Sequence, residues 1–138
     1  MIREATAEDD ARLVELIAQL GFGSDVGGVA ARRVRLADIG EPILVAETSD
    51  GIVGVIDWHV MTTIHRPSPV GRIVMLVIDE SHRGEGIETA LVKSACDRMR
   101  AAGCKLVEVT SNDRLVDAHR FYEGLGFEAT SRRFAKSL

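Results

Sequence analysis

The fold of this chain is organised around the segment Ile78-Asp79-Glu80-Ser81-His82-Arg83-Gly84-Glu85-Gly86-Ile87, which joins its most apolar stretch to its most regular amphipathic stretch. The run at residues 72–78 predicts a strand covered on both faces, and we expect it to be the central strand of a sheet. Beyond the turn, apolar residues recur at helical spacing and end before Gly103: Ile87, Leu91, Val92, Ala95, Cys96 and Met99. The segment is therefore a strand-to-helix turn.

Upstream of this segment, the sequence predicts two helices and a hairpin. Thr6 and the acidic residues after it mark the start of a first helix that ends at Gly21. A second, weaker helix runs from Ser24 or Asp25 to Leu36. Residues 42–47 and 52–62 are rich in β-branched side chains and are joined by a Ser-Asp-Gly turn, which predicts an antiparallel pair of strands.

Downstream of the segment, predicted strands and helices continue to alternate along the chain. Residues 105–110 predict a strand, Ser111 or Asn112 caps a helix that ends before Gly126, and residues 133–137 predict a short final strand. The strand, helix and strand over residues 72–110 are long enough for one parallel crossover. We therefore expect an α+β fold with a mixed sheet.

Composition and length exclude several classes of protein. With 138 residues, the chain is expected to form one domain, residues 1–138. The apolar share of 46% and the charged share of 28% are those of a globular protein, and the longest apolar run, residues 73–78, is too short to span a membrane. The N-terminus lacks the basic and apolar regions of a secretory signal, so we expect a cytoplasmic location.

Charge and cysteine content narrow the set of partners. The net charge is −4, and residues 1–69 hold 6 Arg, no Lys and 11 Asp or Glu, so the negative charge lies in the N-terminal half. An acidic chain without a basic stripe argues against a nucleic-acid partner. Cys96 and Cys104 have no metal-ligand spacing, so we expect reduced packing residues and no metal site.

The glycines of the turn have two interpretations. The first backbone N–H groups of a helix lack internal partners, and Gly84 and Gly86 would let a phosphate approach them closely. Taken alone, the Gly-x-Gly pattern favours a tight turn that needs a positive φ over a phosphate site.

A second motif adds to the first. Arg83-Gly84-x-Gly86-Ile87 after an apolar strand is followed by Asn112 and then by Ala118-His119-Arg120-Phe121-Tyr122-Glu123-x-x-Gly126-Phe127. In this order and separation the two motifs resemble the GCN5-related N-acetyltransferase (GNAT) family over residues 72–136. The resemblance implies a mixed central sheet of about six to seven strands flanked by about four helices.

The resemblance also implies acetyl-CoA as a cosubstrate. Its pyrophosphate would be held by main-chain N–H groups of the turn, at Arg83, Gly84, Gly86 and Ile87. Main-chain groups of Leu76 and Ile78 would contact the acetyl carbonyl and the pantetheine arm, and Asn112 either holds that arm or is simply a helix cap. The family pattern has a small residue where this chain has Glu88, whose carboxylate either repels the pyrophosphate or turns to solvent.

The same resemblance suggests the residues that move protons. Tyr122 resembles the general acid that gives a proton to the departing CoA thiolate, a role that would place it against the cofactor; the alternative is a helix aromatic packed on the sheet. The amine needs a base, and His59 in the third strand is the first candidate. Further candidates are His65, His82, His119, Asp57 and Glu80.

Part of the chain looks like the aminoalkylphosphonate acetyltransferase branch of this family. The likeness rests on Gly54-x-x-x-x-His59, Gly71-x-Ile73, residues 117–122 and Arg133-Phe134-x-Lys136-x-Leu138. Met75 stands where that branch has an acidic residue of its central strand. A metal or amine site shared with the branch is therefore not implied.

The sequence as a whole predicts an N-acetyltransferase that moves an acetyl group from acetyl-CoA to a primary amine by direct attack in a ternary complex. Neither cysteine has a visible activating partner for a covalent route. The acidic N-terminal half would attract a cationic amine, or is an ordinary solvated surface. The alternative, which Glu88 motivates, is a non-catalytic CoA-binding regulatory module. A homodimer paired through C-terminal strands is also implied by the resemblance.

Overall fold

A computed structural model describes all residues, 1–138, as four α-helices and five strands. The strands are β1 (Ile2–Glu4), β2 (Leu44–Thr48), β3 (Gly51–Met61), β4 (Val70–Ile78) and β5 (Leu106–Val109). The helices are α1 (Asp10–Ala18), α2 (Val26–Asp38), α3 (Ile87–Ala101) and α4 (Val116–Gly124), with short 3-10 turns at Ala7–Asp9 and Glu80–His82. None of these helices is long and apolar enough to cross a membrane.

The five strands form one mixed sheet in the order β1-β2-β3-β4-β5. Neighbouring strands are antiparallel except β4 and β5, which are parallel and are joined through α3. The α+β class, the mixed sheet, the hairpin, the four helices and the single parallel crossover are thereby confirmed.

Three predictions about the sheet are wrong. The sheet has five strands rather than six to seven, because residues 133–137 form no strand. The middle of the sheet is β3 rather than β4, because the unpredicted β1 adds to the far side by pairing with β2. The apolar run of β4 is not covered on both faces along its length, since Val74 is 55% exposed.

The core lies on both faces of the sheet. On one face, apolar side chains of α3 pack against β3 and β4: Leu91, Val92, Ala95 and Met99 against Ile56, Trp58 and Ile73. On the other face, Leu13 and Leu16 of α1 and Val29 of α2 cover Val45, Val55 and Val77. The apolar residues that recur at helical spacing in the sequence therefore form the buried sides of α1 and α3.

Local sequence signals explain where the helices begin. The Asp25 carboxylate accepts a hydrogen bond from Gly28 N at 2.9 Å, which caps α2 where the sequence predicted a start. Helix α4 instead begins after Leu115, and Asn112 does not cap it. Cys96 and Cys104 are both free thiols, and burial raises the pKa of each, as in packing residues rather than nucleophiles.

Candidate functional site

Strand β4 has an edge that is open over half of its length. On one side it pairs with β3 along its whole length, from Met61–Val70 to Gly54–Ile78. On the other side, β5 pairs only with residues 70–73 and leaves the sheet after Ile73–Val109. Between Val74 and Ile78 the edge that faces β5 has no strand partner.

A β-bulge lies where this opening begins. The pairing of β3 with β4 passes from Asp57–Met75 directly to Trp58–Ile73, so that Val74 is the extra residue of β4. A bulge bends a strand and increases its twist, and bulges are common beside active sites. Here the bulge marks the residue at which β4 and β5 separate.

The free main-chain groups of this edge belong to Leu76 and Ile78. Asp79 N donates to Val53 O at 2.8 Å, which makes Asp79 and Val53 a hydrogen-bonded pair. Hydrogen-bonded and non-bonded pairs alternate along an antiparallel ladder, so the N–H and C=O groups of Leu76 and Ile78 point away from β3. Of these four groups, only the Ile78 carbonyl accepts a hydrogen bond within the chain, a long one from Arg83 Nε at 3.4 Å.

The turn after β4 is held in shape by the Asp79 carboxylate. It accepts from Ser81 N at 3.0 Å and Ser81 Oγ at 2.6 Å, and it pairs with Arg12 Nη2 at 2.5 Å. These contacts, those from Ser81 first, hold the pKa of Asp79 well below its usual range. The turn is therefore fixed to α1 as well as to β4.

The two glycines of the turn form an open backbone cradle at the start of α3. Gly84 and Gly86 have φ of 80° and 83°, and a Cβ built on either would meet no atom within 4 Å. Gly86 is the N-cap residue of α3, and no side chain caps the first turn. The N–H groups of this turn are thus available to an anion, and the cradle leaves room for one.

Glu88 stands in the first turn of α3, next to this cradle. It is half-buried, and it lies one helical turn before Val92 and two before Ala95, which are both buried. Its carboxylate makes no hydrogen bond or ion pair with the rest of the chain, in contrast to Asp79.

Tyr122 lies on α4 inside an aromatic cluster. Its ring makes edge-to-face contacts with Phe121 and Phe127, with centroids 5.2 Å and 5.6 Å apart, and both phenylalanines pack against the α3 side of the core. Burial raises the pKa of the phenol. The hydroxyl makes no hydrogen bond within the chain, so Tyr122 is a half-buried, protonated donor without an internal acceptor.

His59 belongs to a cluster that the sequence did not reveal as a unit. Its Nδ1 contacts Glu41 Oε2, while Glu41 Oε1 accepts from Val60 N at 2.9 Å. Asp57 lies two residues before His59 and so on the same face of β3. Burial raises the pKa of the Asp57 carboxyl, His59 lowers it by a smaller amount and Glu41 raises it. Glu41 was missed because 18 residues separate it from His59, and no spacing signal connects a loop residue with a strand.

The other residues predicted from the sequence as bases or cofactor contacts are either exposed or hydrogen-bonded within the chain. His82 bridges the hairpin turn and its own turn, contacting Asp50 Oδ2 and Ser81 Oγ at 2.9 Å each, and the Asp50 contact raises its pKa. His119 Nε2 contacts the main-chain oxygen of Asn112 at 2.9 Å. His65, Glu80 and Arg83 are exposed. Asn112 itself uses its side chain to accept from Arg114 N at 3.0 Å. No group of three or more His, Cys, Asp or Glu side chains is arranged to hold a metal ion.

Comparison with known proteins is consistent with this geometry. The family model described as the acetyltransferase (GNAT) family matches residues 25–127. An aminoalkylphosphonate N-acetyltransferase of Salmonella typhimurium is 31% identical over 99% of this chain and 90% of its own length. A glucosamine 6-phosphate N-acetyltransferase of Trypanosoma brucei brucei is 29% identical over 91% of this chain and 86% of its own length. The crystal structure of a Trypanosoma brucei acetyltransferase superposes with a TM-score of 0.85 at 27% identity, covering 100% of this chain and 99% of that one.

Proposed function

The chain belongs to the GNAT acetyltransferase family, and from this premise we propose that it is an N-acetyltransferase that moves an acetyl group from acetyl-CoA to a primary amine. In the proposal residues 1–138 act as one acetyltransferase domain. The observation that carries the proposal is the open edge of β4, which begins at a bulge and ends at a glycine turn with uncapped N–H groups.

The residues of this edge and turn fit acetyl-CoA as a cosubstrate. The pyrophosphate would lie against the main-chain N–H groups at Arg83, Gly84, Gly86 and Ile87, where the glycines leave space. Leu76 and Ile78 would hydrogen-bond the amide groups of the pantetheine arm and the acetyl carbonyl in the place of a missing strand. Asn112, which does not cap α4, would hold the arm from the β5 side.

The reaction we propose is direct attack in a ternary complex. The amine nitrogen loses a proton to His59 and forms a C–N bond with the acetyl carbon, and the C–S bond breaks. The departing sulfur takes the proton that Tyr122 carries on its hydroxyl. Asp57 and Glu41 add negative charge near His59, which would attract an ammonium group to this end of β3.

The acceptor amine is proposed as a small molecule. The two relatives are named for an aminoalkylphosphonate and for glucosamine 6-phosphate, which are both small primary amines. The non-catalytic alternative is not favoured, because the matched relatives are named as N-acetyltransferases. The homodimer stays a prediction; it is supported by the outer edge of β5, which no strand covers, and by the exposed side chains of Phe134 and Leu138.

Tyr122→Phe is the test of the proposed chemistry. Release of free CoA thiol is measured with a panel of small primary amines that includes aminoalkylphosphonates and glucosamine 6-phosphate. We expect turnover by the wild type and a kcat lower by about 10²–10⁴-fold in the variant, because only the proton donor is removed. The aromatic contacts remain, so acetyl-CoA affinity and the melting temperature should be unchanged.

Two outcomes would contradict parts of this proposal. An unchanged kcat in Tyr122→Phe would remove Tyr122 from the mechanism. Acetyl-CoA binding by a wild type that acetylates no amine in the panel would favour the non-catalytic module instead.

A further inference from the structure

Glu41 is an exception among the buried carboxylates of this chain. Three charged side chains are buried, Asp9, Asp10 and Glu41, and Glu41 is 7% exposed. Asp9 is paired with Arg3 at 2.8 Å and Asp10 with Arg33 at 2.6 Å. Glu41 has neither an arginine nor a lysine partner; its two oxygens are taken by a histidine and a backbone N–H. Burying a carboxylate is unfavourable unless it is paired. The buried Glu41 carboxylate therefore depends on His59 and on the Val60 N–H for its pairing.

We propose that Glu41 is a positioning residue that holds His59 in the tautomer with a proton on Nδ1 and a free lone pair on Nε2. The proposal rests on the proposed function, because a lone pair on Nε2 is what a base for the amine requires. Glu41 does not react: it keeps its contact with Nδ1 while the proton of the amine moves to Nε2 of His59, as in the carboxylate–histidine pair of a catalytic triad.

Two hydrogen bonds hold the Glu41 carboxylate and its loop in place beside the His59 ring. Glu41 Oε1 accepts from Val60 N at 2.9 Å, directly after His59 in β3. Trp58 Nε1 donates to Pro42 O at 2.8 Å, which ties the next residue of the loop to the residue before His59. The loop is thus bound to β3 on both sides of the histidine.

The free nitrogen of His59 is accessible. The His59 side chain is 44% exposed although Glu41 beneath it is buried, and Nε2 makes no hydrogen bond within the chain. The ring shares a face of β3 with Asp57, which lies opposite Met75 at the level of the bulge. An amine bound over this face would lie between the accessible nitrogen and the place where β4 opens.

Glu41→Gln tests the proposal because the amide should reverse the hydrogen bond. The amide oxygen is needed by Val60 N, so the amide NH₂ group faces His59 and donates to Nδ1. The neutral ring is then forced to carry its proton on Nε2, where the lone pair was. Nitrogen-15 NMR of the imidazole in mildly alkaline buffer distinguishes the two tautomers. We expect the Nδ1–H form in the wild type and the Nε2–H form in the variant.

The rate should change with the tautomer. We expect kcat of Glu41→Gln to fall by about 10²–10⁴-fold, the range for loss of a general base, while KM for acetyl-CoA is unchanged. Glu8→Gln is the matched control: Glu8 is an exposed glutamate of the N-terminal 3-10 turn whose side chain makes no hydrogen bond or ion pair, so tautomer and kcat should both stay as in the wild type.

The outcomes separate this proposal from the proposed function. A wild-type ring in the Nε2–H form would overturn the positioning role, and this measurement needs no variant to fold. A reversed tautomer with unchanged kcat would overturn it as well. A wild type in the Nδ1–H form that transfers no acetyl group would support the orientation of His59 by Glu41 and overturn the proposed function.

Discussion

Glu88 carries two opposing effects at a single position. A carboxylate in the first turn of a helix stabilises that helix, because the N-terminal end is positive. The same carboxylate next to the backbone cradle of Gly84 and Gly86 would repel a bound pyrophosphate. Since Glu88 is half-buried and has no cationic partner, nothing in the chain neutralises it. Its contributions to folding and to cofactor binding should therefore have opposite signs.

Glu88→Ala separates the two contributions. Without ligand we expect the variant to be less stable by about 0.3–1 kcal/mol, the usual value of such a helix-end charge. With acetyl-CoA we expect a larger stabilisation than in the wild type, for which about 2.7 kcal/mol corresponds to 100 times the dissociation constant. Thermal unfolding with and without acetyl-CoA measures both. Glu128→Ala, at an exposed glutamate outside the turn and α3, is the control; an equal shift by ligand in all three proteins would refute the repulsion.

Residues of the candidate site were predictable where the signal is local. The glycine turn and Tyr122 lie in contiguous motifs, and a motif can be read without knowing the fold. Glu41 could not be found in this way, because its partner His59 is brought to it by the pairing of β2 with β3. Asn112 shows the opposite limit: the sequence leaves it either as a helix cap or as a residue that holds the cofactor arm, and the structure excludes only the cap, because the chain makes another turn before α4 begins.

At the scale of the elements, strong periodicity was reliable and short strands were not. Helix α3 and the β2–β3 hairpin formed as predicted because each buries a continuous apolar face or has its own turn signal. Strand β1 has only three residues, too few to show an alternation of apolar and polar side chains. It is held in the sheet by pairing with β2 and by the hydrogen bonds of Arg3 to Asp9 and Glu47. Residues 133–137 are predicted as a short strand, but they pair with no strand of the sheet.

Gly71→Ala tests the packing of α3 on β4. A Cβ at Gly71 would lie 2.9 Å from Met99 Cγ and 3.1 Å from Met99 Cβ, and Met99 is fully buried. We expect the variant to lose about 1–3 kcal/mol of unfolding free energy, the usual effect of overpacking a core. Chemical denaturation measures this difference. Gly124→Ala is the control, because its Cβ would meet nothing within 4 Å; a comparable loss there would contradict the argument.

At the scale of the whole molecule, the order of elements gave the α+β class and the parallel crossover, but not the gap between β4 and β5. The gap depends on where two distant strands stop pairing, which no local pattern records. The negative charge of the N-terminal half also has a structural explanation. Part of it lies in two buried carboxylates that are paired with arginines, at Asp9 and Asp10, rather than on a solvated surface.

The pair of Arg3 with Asp9 makes the stability of the whole fold depend on pH. The Arg3 hydrogen bond is the main reason that the pKa of Asp9 is lowered in the folded state. A lowered pKa stabilises the fold above the unfolded value of about 3.9, and this contribution is lost as the pH falls through the folded value. We therefore expect Asp9→Asn to lower the unfolding free energy by about 1–3 kcal/mol near neutral pH.

Urea denaturation at a series of pH values measures the effect of Asp9→Asn. The difference from the wild type should be complete near neutral pH and should shrink progressively below about pH 4. Asp113→Asn, at an exposed position without an ion pair, should show no such pattern. A difference for Asp9→Asn that is constant with pH would mean that the ionised carboxylate is not what stabilises the pair.

The open edge of β4 also has a consequence for aggregation. A strand with unpaired N–H and C=O groups can be extended by any other strand, and globular proteins protect such edges against foreign chains. The unpaired groups of β4 lie between β4 and a short β5, and the bulge at Val74 bends the edge with which an added strand would have to pair. The opening that we propose for acetyl-CoA spans only residues 74–78 and is bent, so we expect it to be a poor template for the addition of a foreign strand.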